Sequence, residues 1–360
     1  MQESAPVPVP DAKSSQEPAD RPRSVSIWDV AKVAGVSHQT VSRVVNGNPK
    51  VRQSTRDRVL QVIEEMGYKP NRLARALAGG PVRSVTVLTS DTTLYGASLA
   101  LRGIEEAARA ADFTVAISVL DEDAAESPNE VASRPARPGE PVLVIAFNAP
   151  GARAWQTLSA EFPAAAVVER PEEGRGDDRP VAWIDDRSAA AQATRYLLGL
   201  GHRTVHYMAI PSSTTRIGQR ACGWREALAD AGRPVPEPVE GGWSPRSGYL
   251  AARALVADPE VTALLCGNDD LALGVLRAAR EAGRDVPGDL SVMGFDDVPH
   301  AAFAHPALTT VRLDFDGLGR GAFGMLHRLL DPQNAPAPAL WAEPELIVRD
   351  STGPAPGRTG

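Results

Sequence analysis

The sequence predicts an α/β protein with a separate helical module at its N-terminus, and three observations carry that expectation. From Ser84 onward, short apolar runs alternate with helical patterns, the signature of parallel sheets. Before them, two short helical patterns flank Gly35 and a third follows. Charge is also segregated: Arg21 to Gly80 holds eleven basic residues against four acidic ones, +7 locally, which leaves −14 on the rest of a chain of net charge −7.

At 360 residues the chain exceeds what one core comfortably serves, roughly 250–300 residues, so a small module plus a larger body is the expected division. Hydrophobic residues at 43% and charged residues at 23% are ordinary for a globular chain. No stretch approaches the ~20 apolar residues that span a bilayer, which excludes a membrane partner on this reading. Residues 1–23 carry Pro, Ser, Glu and Asp without an apolar segment, so they read as a disordered extension rather than a secretion signal, and the cytoplasm is the expected location. Cys222 and Cys266 lack Cys-x-x-Cys spacing and read as reduced core residues.

The module is expected over 24–69. Ser26 followed three residues later by Asp29 has the form of a capping box, and Gly35 suits the left-handed turn that ends a helix. A second helix from His38 to about Asn46 places Val41, Val44 and Val45 on one face and leaves His38, Gln39, Ser42 and Arg43 elsewhere. Ser54 to Asp57 is expected to cap a third helix, with Val59, Val62, Ile63 and Met66 completing a core that Gly67 closes. Such a helix-turn-helix seats its second helix in the major groove of double-stranded DNA. His38 and Gln39 then reach base edges first, Gln39 suiting adenine and Arg43 guanine, while Arg56 is assigned to phosphate. A basic module on an acidic body fits phosphate attraction at one end.

In the body, strands are expected at Val85–Leu88, Val115–Val119, Val142–Phe147, Val205–Ile210, Ala263–Cys266 and Ser291–Phe295, with a helix from Leu99 to Ala111 after the first. Two sheets with a cleft between them would hold a ligand at strand C-terminal ends, where Ser90-Asp91, Asn268-Asp269-Asp270 and Asp296-Asp297 fall. The alternative reading of those acidic pairs is helix N-capping.

The run from Ile27 to Asn46 strongly resembles the headpiece of the lac repressor family of regulators, and Pro70 to Gly79 resembles that family's hinge helix, expected over 70–80. The resemblance implies that Ser37, Thr40, Ser42 and Asn46 join His38, Gln39 and Arg43 at DNA. It also implies that Asn71, Arg72 and Ala74 lie on the hinge and that Leu77 wedges into the minor groove. Farther on, Gly201–Val205, Gly223–Leu228, Asn268–Gly274 and Gly294–Asp297 resemble the family's effector-domain signatures. The implied body, 81–350, is a two-subdomain, periplasmic-binding-protein-like effector and dimerisation domain, with a flexible tail over 351–360. By the same resemblance Arg220, Asn268 and Asp296 hydrogen-bond sugar hydroxyls, Trp243 stacks on a pyranose face, and Ser90, Leu94 and Phe315 line the pocket. The chain departs from the family at 121–141, where four prolines favour a loop over a helix, and at Ala146, where an amide is expected and Asn148 stands two residues on.

Enzyme readings fare poorly. Gly319-x-Gly321-x-x-Gly324 has the dinucleotide spacing but no preceding strand and turn, and reads as a coincidence. No Walker loop, His-Glu-x-x-His or Gly-x-Ser-x-Gly occurs; His202 and His206 read as packing or hydrogen-bonding residues, and no cofactor or metal is expected. A sugar-binding transport protein would explain the body alone, and an architectural DNA-binding protein the headpiece alone. The expectation is therefore a homodimeric repressor that binds a palindromic operator and is released by a small-molecule effector, a sugar. The alternative is a corepressor or a non-sugar effector.

Overall fold

The computed structural model describes residues 25–45, 50–68, 83–120, 140–160, 162–169, 179–211, 218–330 and 340–357. Residues 1–23, Asn46, the hinge at 70–80 with Asn71, Arg72, Ala74 and Leu77, and nearly all of the Pro-rich 121–141 segment lie outside the described residues. The chain divides into two units, Met1–Val82 and Arg83–Gly360.

The first unit contains helices α1 (Ile27–Ala34), α2 (His38–Val45) and α3 (Gln53–Glu65). Local chemistry sets their ends. Ser26 accepts a hydrogen bond from the Asp29 amide while Asp29 accepts one from the Ser26 amide at 2.8 Å, a complete capping box. Gly35, at φ 68°, then turns the chain out of α1, and the Ser37 hydroxyl accepts from the Thr40 amide to start α2. Val30, Ala34, Val41, Val44, Val59 and Val62 form the core. One cap differs from expectation. Helix α3 begins at Gln53, before Ser54, with Arg52 at its N-cap and no side-chain cap bond; Gln53 Nε2 instead bonds Asp57 Oδ1 across the first turn at 2.7 Å.

The second unit holds two parallel sheets. The larger comprises β1 (Ser84–Thr89), β2 (Thr114–Val119), β3 (Val142–Ala146), β4 (Ala164–Glu169), β5 (Val181–Ile184) and β11 (Leu340–Ala342), in the order β2-β1-β3-β4-β5-β11. Its inner strands are apolar on both faces, as buried parallel strands must be. Val85, Val87, Leu143, Ile145, Ala165 and Val167 face one core, whereas Leu88, Val142, Val144, Ala164 and Ala166 face another, under Trp155 of α5 (Ala149–Thr157). The first core is covered by α4 (Tyr95–Ala110) and α10 (Phe315–Leu329).

The smaller sheet runs β7-β6-β8-β9, from β6 (His206–Ala209), β7 (Val239–Glu240), β8 (Ala263–Cys266) and β9 (Ser291–Met293). Its helices are α6 (Asp186–Gly199), α7 (Gln219–Asp230), α8 (Pro245–Ala257) and α9 (Asp269–Glu281). The chain passes between the sheets three times: after β5, after β10 (Thr310–Arg312), and between β11 and β12 (Glu345–Ile347). Strands β10 and β12 pair antiparallel, so two of the three passages are bonded to each other.

Helix α4 starts four residues before its expected position at Leu99, and strands β4 and β5 were not anticipated at all. Cys266 is buried as expected; Cys222 is only half-buried. The tail expectation needs correction for 351–357. Ser351 donates to Val292 O at 2.6 Å, the Gly353 amide donates to Ser291 Oγ at 3.0 Å, and the Ala355 amide donates to Leu200 O at 2.9 Å. Those bonds anchor a Pro- and Gly-rich segment that lacks any regular element of its own. His202 belongs to the same cluster, bonded to Thr262, Ser291 and Gly353 O, which confirms it as structural. The Gly319-to-Gly324 run lies inside α10, so it forms no phosphate-binding turn.

Candidate functional site

Chain order within each sheet reverses direction once, between β1 and β3 and between β6 and β8, and such switch points open a crevice at the strands' C-terminal ends. A cleft lies there. From the larger sheet come Leu94, Tyr95, Phe147, Glu169 and Phe315; from the smaller come Tyr207, Ile210, Gln219, Arg220, Trp243, Asn268, Asp270 and Asp296; Asp186 opens α6 after the first passage. Six of the seven residues expected at the effector are therefore brought together. Ser90 is not among the lining residues, because its hydroxyl accepts a hydrogen bond from Asn148 Nδ2 beside the end of β3. The same bond accounts for Asn148, which also caps α5 through Gly151 N.

Arg220 organises the polar wall. Its Nε bonds Asp186 Oδ1 at 2.8 Å, one Nη donates to Gly267 O, the other lies 3.4 Å from Asp296 Oδ1, and the guanidinium stands 4.6 Å over the Phe295 ring. Burial works against its charge, but the Asp186 and Asp296 carboxylates outweigh burial and raise its pKa further. Asp296 experiences the converse: burial pushes its carboxyl up to about 6, against the pull of Arg220. Its backbone sits at φ 103°, and Asp297 follows at 50°, two positive-φ residues in succession without a glycine.

Asn268 is a helix cap that also lines the cleft. Its Oδ1 accepts from Leu271 N as the cap of α9, and its Nδ2 donates to Trp243 O, fixing the segment that carries the indole into the cleft. Asp269 turns away from the cleft and is fully buried, accepting from Thr310 Oγ1 and Val298 N; burial, then the Asp296 charge, raise its pKa well above the usual carboxylate range. Sequence reasoning missed Glu169 and Asp186. Glu169 ends β4, whose first half is three alanines, and Asp186 follows β5, which has only four residues; neither strand carries a clear periodic signal.

In the first unit, Gln39 and Arg43 are exposed on α2, Ser37 is exposed at its start, and Thr40 and Ser42 are half-buried. His38 is half-buried and its ring lies 3.9 Å from that of Trp28, itself 63% exposed, so part of the His38 surface is spent on α1. Arg56, the expected phosphate contact, is half-buried on α3.

Residues 26–71 match the profile of bacterial regulatory proteins of the lacI family, and residues 194–352 match that of the periplasmic binding protein-like domain. Catabolite control protein A of Priestia megaterium is 30% identical over 91% of this chain and 99% of its own length. The chain belongs to the LacI family. Among solved structures, the lac repressor dimer bound to operator and the anti-inducer ONPF is similar over 92% of this chain and all of that one, at 29% identity and a TM-score of 0.74. A complex of the transcriptional regulator CelR with cellobiose is similar over 91% and 99%, at 28% identity and a TM-score of 0.67. This LacI-family protein is thus a DNA-binding transcriptional regulator and not an enzyme. No described helix is long and apolar enough to cross a membrane.

Proposed function

We propose that the chain acts as a homodimeric repressor whose grip on a palindromic operator is loosened by a sugar bound in the cleft. The observation that carries this reading is the meeting, at the switch points of two sheets, of planar polar groups (Arg220, Asp296, Asn268) with the Trp243 and Phe315 rings. Planar amides, carboxylates and guanidinium satisfy vicinal hydroxyls, and aromatic faces cover the apolar C–H side of a pyranose. The sugar in the CelR structure and the anti-inducer in the lac repressor structure support the same assignment. On this reading Ser37, His38, Gln39, Thr40, Ser42, Arg43, Asn46 and Arg56 contact DNA, and the 70–80 hinge, with Asn71, Arg72, Ala74 and Leu77, enters the minor groove. A ligand that draws the two sheets together favours one of two arrangements. A coupling of ~1–3 kcal/mol changes operator affinity roughly 5–150-fold.

The test is fluorescence-anisotropy titration on an operator found by in-vitro selection, repeated with a sugar panel at fixed salt. One sugar that weakens specific binding is the expected result, and Asp296→Ala should move its dose-response by tenfold or more. A sugar that tightens binding makes the protein a corepressor-dependent regulator. Indifference to every sugar removes the sugar from the proposal, and failure to select any operator removes the whole of it.

A further inference from the structure

We propose that the effector of this cleft is an uncharged polyol, and that the cleft rejects the phosphorylated or carboxylated counterpart of the same compound. The inference rests on the effector reading above and adds the charge class of the ligand. Phosphates and carboxylates are ordinarily recognised by the arginine fork, two parallel N–H donors aimed at two oxygens. Arg220 is the one basic side chain among the described residues of the cleft wall. Three of its five N–H donors are already given to Asp186, Gly267 O and Asp296.

The charge balance points the same way. Asp186, Asp270 and Asp296 line the described cleft, three carboxylates to one guanidinium. His300 lies 3.7 Å from Asp270, with more than half of its side chain open to solvent. Two helices, α4 with Leu94 at its N-cap and α7 with Gly218, also open here without a side-chain cap, and each contributes about half a positive charge. Together with Arg220 they leave the described part of the wall negative. The elevated Asp296 pKa, set by burial and by the nearness of Asp186 and Asp270 against the pull of Arg220, reports the same crowding. A neutral polyol turns this wall to use, because its hydroxyls donate to carboxylates and accept from the uncapped N–H groups. An anion can take only the second set.

Two measurements on the full-length chain test this. In the first, the Trp243-dependent emission, taken as wild type minus Trp243→Phe, is quenched by cesium and by iodide at matched ionic strength, each normalised to free tryptophan amide. A negative wall predicts stronger quenching by cesium; stronger quenching by iodide overturns the inference. In the second, glucose, galactose and cellobiose are titrated calorimetrically beside glucose 6-phosphate, galacturonate and cellobionate. Any neutral sugar that binds should lose about tenfold or more in affinity as its anionic counterpart, and Asp270→Asn should narrow that gap. An anion that binds more tightly than its neutral parent overturns the charge inference and leaves the effector reading intact. If no compound binds, the sugar reading fails, and the cesium and iodide comparison decides the charge of the wall by itself.

Discussion

Asp296 occupies a backbone conformation that L-residues avoid, and it does so where its carboxylate meets Arg220 at the cleft wall. Strain of this kind persists only where surrounding bonds over-determine it; here the Asp296 amide is held by Val311 O at 2.8 Å, and Asp297 is clamped by Arg312 and Arg349. Burial is the leading cause of its raised pKa, so between about pH 4 and 6 the folded state holds a proton that the unfolded chain releases. The stability this group contributes is therefore largest below that window and falls as pH rises through it. The unfolding free energy of wild type minus that of D296N, from urea titrations, should fall by up to about 3 kcal/mol from pH 4 to 6.5 and stay level above. A flat difference would mean that Asp296 is as well solvated as in the unfolded chain. In the first unit, Gln39 is exposed on α2. Gln39→Ala should cost ~1–3 kcal/mol of discrimination at one operator base pair while changing little at the others, read by competition between operator variants.

Helix pairs in the second unit meet through glycine. A Cβ on Gly103 would lie 2.0 Å from Asp316 O, and one on Gly319 2.0 Å from Ala100 O, so α4 and α10 touch backbone to backbone from both sides. A Cβ on Gly223 of α7 would lie 1.9 Å from Arg187 O of α6, and one on Gly274 of α9 2.2 Å from Pro245 O of α8. Gly319, the first glycine of the dinucleotide-like run, thus has a packing cause. Gly319→Val should force α10 off α4 and cost several kcal/mol, seen as loss of soluble protein or a thermal midpoint lowered by well over 5 °C. Gly324, with open space around it, should tolerate alanine. Elements governed by local chemistry were legible in the sequence: the Ser26 box, the Gly35 turn, the valine stripe of α2. Elements fixed by tertiary context were not. Ala164–Ala166 form a central strand from residues with no strand preference, because flanking strands and two cores enclose them. Ser54 loses the α3 cap to a helix that starts one residue earlier, and Ser90 is turned to Asn148 instead of the cleft. The missed cleft carboxylates, Glu169 and Asp186, depend on where β4 and β5 end, which only the assembled sheet determines.

The molecule is closed by its last residues. Ser351, Gly353 and Ala355 tie the end of the chain to β9, to the His202 cluster and to the turn after α6, in a region where no helix or strand forms. Each such buried bond is worth about 1 kcal/mol, and an abandoned partner costs more. Truncation after Asp350 should therefore lower the stability of the second unit by about 2–5 kcal/mol in denaturant titrations. At a larger scale, the larger sheet is not made from one continuous stretch of chain, whereas the four strands of the smaller one follow each other in sequence. The larger sheet takes its edge strand β11 from residues 340–342, beyond everything that builds the smaller one.

That interleaving bears on how the protein comes off a ribosome. Helices α1 to α3 are complete by Glu65, while the larger sheet lacks an edge and β10 lacks its partner until β11 and β12 have emerged. At roughly 5–20 residues per second, the interval lasts tens of seconds. Throughout it, a nascent chain carries a complete three-helix unit ahead of an unfinished second unit, so the two units mature in the order in which they are synthesised.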